Sequence, residues 1–294
     1  MIDIGEIIRI DAEVAEEALE SYLTDDKVGC GELPSAMRYS TLGGGKRIRA
    51  CLVLEFSRLF GGTDETAKPF AAAIEMIHAY SLIHDDLPCM DDDDIRRGKP
   101  SCHKRFGEAT ALLAGDALLT YAFEVASSAE NVSHGAVRRC IGTLSKCAGP
   151  LGMAGGQMID LENSADSFES LKRLHSLKTS ALIKAACLMG YFSAAGDNAK
   201  DEDIENISRY AECVGLAFQI KDDLLDLEGD EATLGKAVGI DEKNGRVNSL
   251  SFMTPDEARD MCRSLADDAA ASLSSYGGSE FLRMLPVFLN MRKK

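Results

Sequence analysis

The sequence predicts an all-α protein, a single-domain helical bundle over residues 1–294, from three observations. Apolar residues recur at three- and four-residue steps through most of the chain, which is the spacing that lines one face of an α-helix. The alternation typical of half-buried strands is absent, and no Asn-Gly pair lies between β-branched runs. No Ser-, Pro- or Gly-rich stretch divides the chain. Typical helix lengths then predict roughly ten or more helices.

The individual helices are visible as apolar stripes that follow one another along the chain. In order they include "DAEVAEEALESYL", "IRACLVLEFSRLF", "AKPFAAAIEMIHAYSLIH", "EATALLAGDALLTYAFEVA", "SLKRLHSLKTSALIKAACLMGYF" and the stretch from Glu202 to Leu227. Most prolines lie near predicted helix starts or in turns, where the missing N–H does little harm. Pro286 lies inside "FLRMLPVFLNM" and is expected to kink or divide the last helix.

Composition and charge exclude several classes of protein. The chain is 45% hydrophobic and 27% charged, and its nine cysteines are scattered singly. They are expected to be reduced and mostly buried. The apolar stretches are interrupted by charge short of the roughly 18 residues of a membrane span, and the acidic N-terminus does not resemble a signal peptide. We therefore predict a cytoplasmic protein without membrane insertion. Its net charge of −16 argues against nucleic acid as a partner.

A first acidic motif, "HDDLPCMDDDDIRRGKP" from His84 to Pro100, has six aspartates within ten residues. A helix is predicted from about Ala67 to Asp86, because Pro88 disfavours helical geometry in the residue before it. The C-terminal end of a helix is the negative end of its dipole. A cation, or the arginines that follow, must therefore offset the aspartates. The alternative is a solvated acidic helix end.

A second acidic motif is "FQIKDDLLDLEGDEATLGK", from Phe218 to Lys236. At about 100° per residue, its side chains at 219, 222, 223 and 226 share one flank at the edge of the apolar face. Asp222 and Asp226 are four residues apart, and like charges at that spacing are destabilising unless a cation lies between them. Ligands that are all oxygen favour Mg²⁺, with a diphosphate completing the shell. Calcium would require an EF-hand pattern, which is absent.

Basic residues lie in matching groups elsewhere in the chain. "GGGKRIR" places Lys46, Arg47 and Arg49 after glycines that permit close approach of a phosphate, although it is not a Walker A loop. His78 is seven residues before Asp85 and is expected to face the same cavity. "LHSLKTSALI" puts a lysine and a threonine on a largely apolar helix. A basic helix start, a structural histidine and a snorkelling lysine are the alternatives.

The two acidic motifs closely resemble the aspartate-rich motifs of the trans-prenyl diphosphate synthases. "GGGKRIR", "GGQMIDLE" and "LKTSALI" resemble other blocks of that family in the same order, and the likeness runs roughly from Leu42 to Gly245. It is closest to the bacterial farnesyl diphosphate synthases. The resemblance implies an all-α bundle of the isoprenoid synthase type around a central cavity, generally as a homodimer. It also implies a magnesium-dependent prenyltransferase that condenses isopentenyl diphosphate with allylic diphosphates (dimethylallyl and geranyl) by ionisation, condensation and elimination.

The resemblance also assigns roles to single residues. The carboxylates that would hold Mg²⁺, as three ions bridging the allylic diphosphate, are Asp85, Asp86, Asp91, Asp222 and Asp226. The residues that would contact the allylic diphosphate are Arg96, Lys178 and Lys236. Those that would bind isopentenyl diphosphate are Gly45, Lys46, Arg49, His78 and Arg97. Thr179 and Gln219 would present oxygens to the reacting carbon, so that they join Lys178 and Arg96 as the expected catalytic residues.

Product length is expected to depend on residues upstream of Asp85 on the same helix. Ser81 lies on the same side as Asp85, whereas helix geometry turns Tyr80 away from it. The resemblance favours Tyr80, because an aromatic residue here with the spacer "LPCM" looks like the C15 enzymes of the family. Farnesyl diphosphate is then the expected product and geranylgeranyl diphosphate the alternative. It also stays open that Tyr80 packs in the core and a neighbouring helix sets the length.

Three other functions fit parts of the pattern. A terpene cyclase shares the fold and one such motif, but its second metal motif usually mixes Asn, Ser or Thr with Glu, and it needs no isopentenyl site. A non-catalytic helical partner subunit is expected to lack at least one motif, and both are present here. A simple divalent-cation binding protein would not need the cationic groups.

Overall fold

The computed structural model describes residues 2–29, 31–228 and 247–292, and these ranges are mainly helical. The α-helices are α1 (Ile4–Tyr22), α2 (Asp25–Val28), α3 (Leu33–Thr41), α4 (Ile48–Leu59), α5 (Asp64–Asp85), α6 (Cys102–Phe106), α7 (Glu108–Ser127), α8 (His134–Ala148), α9 (Met153–Leu161), α10 (Phe168–His175), α11 (Ala181–Ala195), α12 (Asp201–Glu228), α13 (Pro255–Ser272) and α14 (Glu280–Asn290). A π-helix (Ser176–Ser180) and two 3₁₀ turns (Gly196–Asn198 and Ser249–Ser251) complete the helical elements of these ranges. The predicted all-α fold is confirmed.

The residues form two compact units, each built from discontinuous segments. The first unit comprises residues 5–142 and 189–198, and the second comprises residues 1–4, 143–188 and 199–294. In the first unit, α5 packs against α4 and α7, and its core includes the fully buried Phe56 and Phe70. In the second unit, α12 packs against α13 and the π-helix, with Ile220 and Leu224 in the core between α12 and α13. The prediction of a single domain stays a prediction.

Helix α5, which leads to the first acidic motif, begins and ends for local reasons. Thr63 caps it by accepting a hydrogen bond from the N–H of Thr66, in a capping box that satisfies two backbone donors. The helix therefore begins three residues before the predicted Ala67. It ends at Asp85 with Asp86 as its C-cap residue, which confirms the boundary predicted from Pro88.

A short β-hairpin follows this helix and was not predicted. Strands β1 (Ile95–Arg96) and β2 (Lys99–Pro100) are antiparallel, with Arg96 opposite Lys99. The turn residues Arg97 and Gly98 have φ values of 53° and 73°, and positive φ at both positions is the signature of a tight hairpin turn that matches strand twist. The expectation that strands are absent is wrong here, because two-residue strands are too short to show alternation.

Pro286 was expected to kink or divide the last helix. Helix α14 is continuous through it, so the proline does not divide the helix, and the kink stays a prediction. A proline inside a helix leaves the carbonyl four residues earlier without its usual N–H donor, and that carbonyl belongs to Leu282. The hydroxyl of Tyr210, which is fully buried, donates to Leu282 O at 2.8 Å. A side chain from α12 thus replaces the missing backbone hydrogen bond.

Two further expectations concern the membrane and the cysteines. Within the described ranges, α7 is long and apolar enough to cross a membrane by length and composition alone, a test that core helices of soluble proteins also pass. Eight cysteines are described, all of them free, and five are buried. For this part of the chain, the prediction of reduced and mostly buried thiols is confirmed.

Candidate active site

The first acidic motif folds back on the end of α5. The N–H of Asp91 donates to Asp85 O at 2.9 Å, and the N–H of Asp92 donates to Leu87 O at 3.2 Å. These bonds bring the backbones of Asp85 and Asp91 together. The side chains of both residues are partly exposed, so their carboxylates remain accessible to solvent.

The charge at this helix end is offset by an arginine from the hairpin. The Asp86 side chain is only 3% exposed, and Arg96 Nε donates to its Oδ1 and Oδ2 at 2.9 and 3.2 Å. Arg96 also reaches Asp93 Oδ2 at 3.0 Å. Burial raises the pKa of Asp86, and the hydrogen bonds from Arg96 act in the opposite direction. Here Asp86 binds Arg96, and the metal-ligand role expected for it stays a prediction.

The glycine loop before α4 separates its three cations. Arg47, the N-cap residue of α4, has a left-handed backbone and is 4% exposed. Its guanidinium donates to Glu16 Oε1 at 2.6 Å and to Glu75 Oε2 at 3.2 Å. Arg47 therefore stabilises the fold from within. Lys46 is exposed on the loop, and Arg49 is half-buried in the first turn of α4.

Arg97 of the hairpin approaches the same loop. It donates to Gly44 O, and its guanidinium lies 3.1 Å from the place that a Cβ on Gly45 would occupy. Gly45 also has a φ of 125°, which side chains rarely allow. Glycine is thus required at 45 for both reasons. The structure brings together the predicted substrate-binding residues Gly45 and Arg97.

His78 lies in the same cationic environment. Burial lowers its pKa well below the usual value, and Arg49, Arg97, Arg47 and Arg96 lower it further. The imidazole is therefore uncharged at neutral pH, and an anion bound among these arginines would raise its pKa again. The structure places His78 with two of the cations that the resemblance assigned to isopentenyl diphosphate.

The two residues expected to limit product length occupy different environments on α5. Tyr80 is half-buried, and its ring contacts His84 edge-to-face at a centroid distance of 5.8 Å. Burial raises the pKa of Tyr80, and the charge of Asp85 raises it further, so the phenol lies within electrostatic reach of that carboxylate. Ser81 Oγ donates to His78 O at 2.9 Å, so the hydroxyl is satisfied by its own helix.

In the second unit, the π-helix carries Lys178 and Thr179. Lys178 Nζ lies 2.6 Å from Asp160 Oδ2 of α9, and Thr179 Oγ1 donates to Gln219 Oε1 of α12 at 3.0 Å. Lys178 is therefore paired and partly buried. Three of the residues predicted to be catalytic are thus brought together.

Two glycines explain how the π-helix fits between α9 and α12. A Cβ on Gly156 would collide with the backbone of Lys178, and a Cβ on Gly215 would collide with Ser180. Single-turn π-segments occur frequently at functional sites. Sequence analysis missed this element and the role of Asp160, although the block "GGQMIDLE" contains both Gly156 and Asp160.

The second acidic motif lies near the C-terminal end of α12, and its carboxylates have different environments. Asp223 is 4% exposed and accepts hydrogen bonds from Ser249 N at 2.9 Å and Gln219 Nε2 at 3.4 Å. Burial raises its pKa. The hydrogen bond to Gln219 agrees with the predicted shared flank. The cover that the chain around Ser249 gives to Asp223 was not predicted. Asp226 is partly exposed.

Asp222 binds a cation from the C-terminal end of the described chain. Arg292 Nη2 donates to Asp222 Oδ1 at 2.6 Å and to Phe218 O at 2.8 Å. The guanidinium carbon lies 3.7 Å from the centroid of the Phe218 ring, which is a close cation–π contact. The last described basic residue therefore contacts the second motif. Lys236 lies outside the described residues.

The predicted metal ligands suit magnesium. Asp85, Asp91, Asp222 and Asp226 offer carboxylate oxygens on partly exposed side chains, and Mg²⁺ prefers one or two carboxylates plus substrate phosphates. Asp222 already attracts a guanidinium in the protein itself, so its position favours positive charge.

A helical protein with two aspartate-rich helix ends, and with cations able to hold phosphate groups, has the features of an enzyme that acts on prenyl diphosphates. The chain belongs to the polyprenyl synthetase family, whose sequence model matches residues 31–271. The family is magnesium-dependent in general.

Individual relatives agree with this assignment. The chain is 45% identical over 263 residues to a farnesyl diphosphate synthase of Escherichia coli, covering 88% of this chain and 87% of the relative. It is 43% identical to a chloroplastic geranylgeranyl pyrophosphate synthase of Catharanthus roseus, covering 83% and 69% of the two chains. The crystal structure of an FPP/GFPP synthase from Zymomonas mobilis superposes with a TM-score of 0.85 at 34% identity, over 98% and 100% of the two chains.

Proposed function

We propose that the protein is a farnesyl diphosphate synthase, which condenses isopentenyl diphosphate with dimethylallyl and then geranyl diphosphate. The 45% identity to the Escherichia coli farnesyl diphosphate synthase carries this proposal. The resemblance of Tyr80 and the spacer "LPCM" to the C15 enzymes supports the C15 product, and the ring is only half-buried on α5, five residues before Asp85.

The proposed magnesium ligands are Asp85, Asp86, Asp91, Asp222 and Asp226, holding three ions. When bound, magnesium supplies positive charge that stabilises the departing diphosphate. Arg96 and Lys178, with Lys236 outside the described residues, hold the phosphate oxygens of the allylic substrate. Their charge lowers the barrier because it is fixed before the diphosphate leaves.

The isopentenyl site is proposed to comprise Gly45, Lys46, Arg49, His78 and Arg97. An uncharged His78 donates one hydrogen bond to the diphosphate, while the arginines supply the charge. Thr179 and Gln219 direct oxygens toward the allylic carbon and stabilise the positive charge that develops there. The hydrogen bond between them holds both side chains in position before the substrate arrives. The departed diphosphate takes the proton in the last step.

The proposed assembly is a cytoplasmic homodimer. Support comes from α7, where the apolar side chains of Leu112 and Leu113 are 46% and 58% exposed. Light scattering of the purified protein tests it: twice the mass of the chain is expected, and the mass of one chain contradicts it.

Product analysis tests the proposed reaction. The protein is incubated with Mg²⁺, labelled isopentenyl diphosphate and each allylic primer, and the dephosphorylated products are separated by chromatography. Farnesol is expected from wild type, and Tyr80→Ala is expected to shift the product toward geranylgeraniol. The second candidate function is that of a geranylgeranyl diphosphate synthase, which the 43% identity to the Catharanthus roseus enzyme supports. It is correct if wild type makes mainly the C20 alcohol. If the variant still makes only C15, Tyr80 does not set the length.

A further inference from the structure

A second group of metal-ligating side chains lies beside the first acidic motif. Ligand atoms of Asp92, Asp94 and His103 all lie within 4.8 Å of one another. None of these residues belongs to the set that the proposed reaction uses. The two aspartates precede the β1–β2 hairpin, and His103, on α6, follows it. The three side chains therefore meet at the base of the hairpin that carries Arg96 and Arg97.

His103 gives this group an unusual buried donor atom. The side chain is 3% exposed, and its Nε2 is buried without a hydrogen-bond partner. The nearest carboxylate oxygen, Asp92 Oδ1, is 4.0 Å from Nε2, which is too far for a hydrogen bond. A tetrahedral zinc binds nitrogen and carboxylate oxygen at about 2.0–2.2 Å, which sets two ligand atoms about 3.4 Å apart. The Asp92 side chain is 61% exposed, so it can make the small shift that lets one ion contact both atoms.

The other ring nitrogen is positioned as metal-binding histidines require. Nδ1 of His103 lies 3.0 Å from the hydroxyl oxygen of Ser101, which is 1% exposed. Ligating histidines nearly always donate their second N–H to such an oxygen, and this bond fixes the ring and its tautomer. With Nδ1 donating to Ser101, Nε2 has its lone pair available for a metal.

We propose that Asp92, Asp94 and His103 form a binding site for a divalent transition metal of the zinc type, separate from the magnesium ligands. One nitrogen and two carboxylates suit zinc or cobalt, whereas magnesium prefers oxygen ligands only. Lys104 Nζ lies 2.8 Å from Asp94 Oδ1, so Asp94 ligates through Oδ2. Asp92 has a positive φ of 51°, so the chain turns after Asp91. The side chains of Asp92 and Asp94 then lie near His103 of α6.

Such a metal would fasten the base of the hairpin. One backbone hydrogen bond, from Ser101 N to Asp94 O at 2.8 Å, already closes this base. A metal shared by residues before and after the hairpin adds a second closure and restricts the movement of Arg96 and Arg97. The site is therefore expected to stabilise the protein and to hold these two arginines in place.

Cobalt binding to the full-length, chelator-treated protein tests the proposal, because Co²⁺ is a spectroscopic substitute for zinc. The titration is made in excess Mg²⁺, which occupies the oxygen-only sites, and is followed by visible absorption and equilibrium dialysis. One Co²⁺ per chain is expected. His103→Gln and Asp94→Asn should each weaken binding by at least about 10–100-fold, the loss typical even of outer-shell changes. Zinc should raise the melting temperature of wild type but of neither variant.

Two controls separate this site from others. His134→Gln removes an exposed histidine on α8, and Asp85→Asn removes a proposed magnesium ligand; neither should change cobalt affinity. If Asp85→Asn abolishes cobalt binding, or if Asp94→Asn and His103→Gln leave it unchanged, the proposal is wrong. Should His103→Gln fail to fold, Asp94→Asn decides alone, since the Asp94 side chain is 67% exposed. The outcome is independent of enzymatic activity and of the proposed function.

Discussion

The two acidic motifs balance their charge with partners from very different places in the sequence. Asp86 of the first motif binds Arg96, ten residues later, whereas Asp222 of the second binds Arg292, 70 residues later. The first pair is largely buried and joined by several hydrogen bonds, whereas Asp222 is 43% exposed. The first motif thus balances its charge within one short segment, whereas the second depends on a cation from a distant part of the chain. Removing a cation should therefore cost stability at the first motif and free a metal ligand at the second.

The largest expected effect is common to both motifs and concerns catalysis. Asp85→Ala and Asp222→Ala should each reduce turnover by at least about 10²–10³-fold, the usual loss when one preorganised electrostatic group is removed. Both side chains are partly exposed, so the fold should survive. Steady-state kinetics with Mg²⁺ measures the loss, with circular dichroism as the check on folding.

Asp267→Ala is the matched control, since Asp267 is an exposed aspartate on α13. Its turnover should equal that of wild type. Near-normal turnover in Asp85→Ala or Asp222→Ala would remove that motif from the proposed magnesium site.

The first motif should respond to loss of its arginine with reduced stability. Arg96→Gln leaves Asp86 buried without its charged partner, and breaking a buried pair in this way costs about 3 kcal/mol. In the variant the pKa of Asp86 rises further, so the folded protein binds this proton above the ordinary aspartate pKa of about 4. The lost unfolding free energy should therefore recover as pH falls through the raised pKa of Asp86, and the recovery should be complete near pH 4. Urea denaturation of wild type and Arg96→Gln at several pH values measures the unfolding free energy.

The double variant Asp86→Asn/Arg96→Gln tests the cause. It removes the buried charge and should recover most of the lost stability at neutral pH. A pH-independent loss, or no recovery in the double variant, would contradict the assigned role of this pair.

The same contrast separates the features of the site that the sequence could predict from those that it could not. That the arginines after the first motif offset the charge of its aspartates was one of two expectations, the other being a metal cation, because both sit in one short segment and the end of α5 requires positive charge. The burial of Asp223 was not predicted, because the helical wheel contains no information about Ser249, which covers it from 26 residues away. The π-helix was missed for the same reason: it is stabilised by close contacts with Gly156 and Gly215 on other helices. Local charge and periodicity are readable from sequence, and tertiary contacts are not.

Two single cations, Arg49 and Lys178, should distinguish the two substrates. Arg49→Ala, in the first unit, is expected to weaken isopentenyl diphosphate binding, and Lys178→Ala, in the second, to weaken the allylic step. Each loss of a charge-assisted hydrogen bond costs about 1.5–3 kcal/mol, or roughly 10–100-fold. Steady-state kinetics with each substrate varied in turn measures this, and an increase in KM for the same substrate in both variants would contradict the partition.

The smallest expected effect is a gain in metal affinity at the second motif. Arg292 competes with a metal for Asp222 Oδ1, which it contacts at 2.6 Å. Asp222 is partly exposed, so the ion pair contributes only about 1 kcal/mol, and its loss in Arg292→Gln should raise affinity roughly fivefold. Mn²⁺ binding followed by electron paramagnetic resonance measures this affinity without turnover.

Two controls test the cause. Arg283→Gln, which removes an exposed charge from α14, should leave the affinity unchanged, and so should Arg292→Gln in an Asp222→Ala background. An unchanged or lower affinity in Arg292→Gln would mean that the chain end does not compete with the metal, and the contrast between the two motifs would then lie in stability alone.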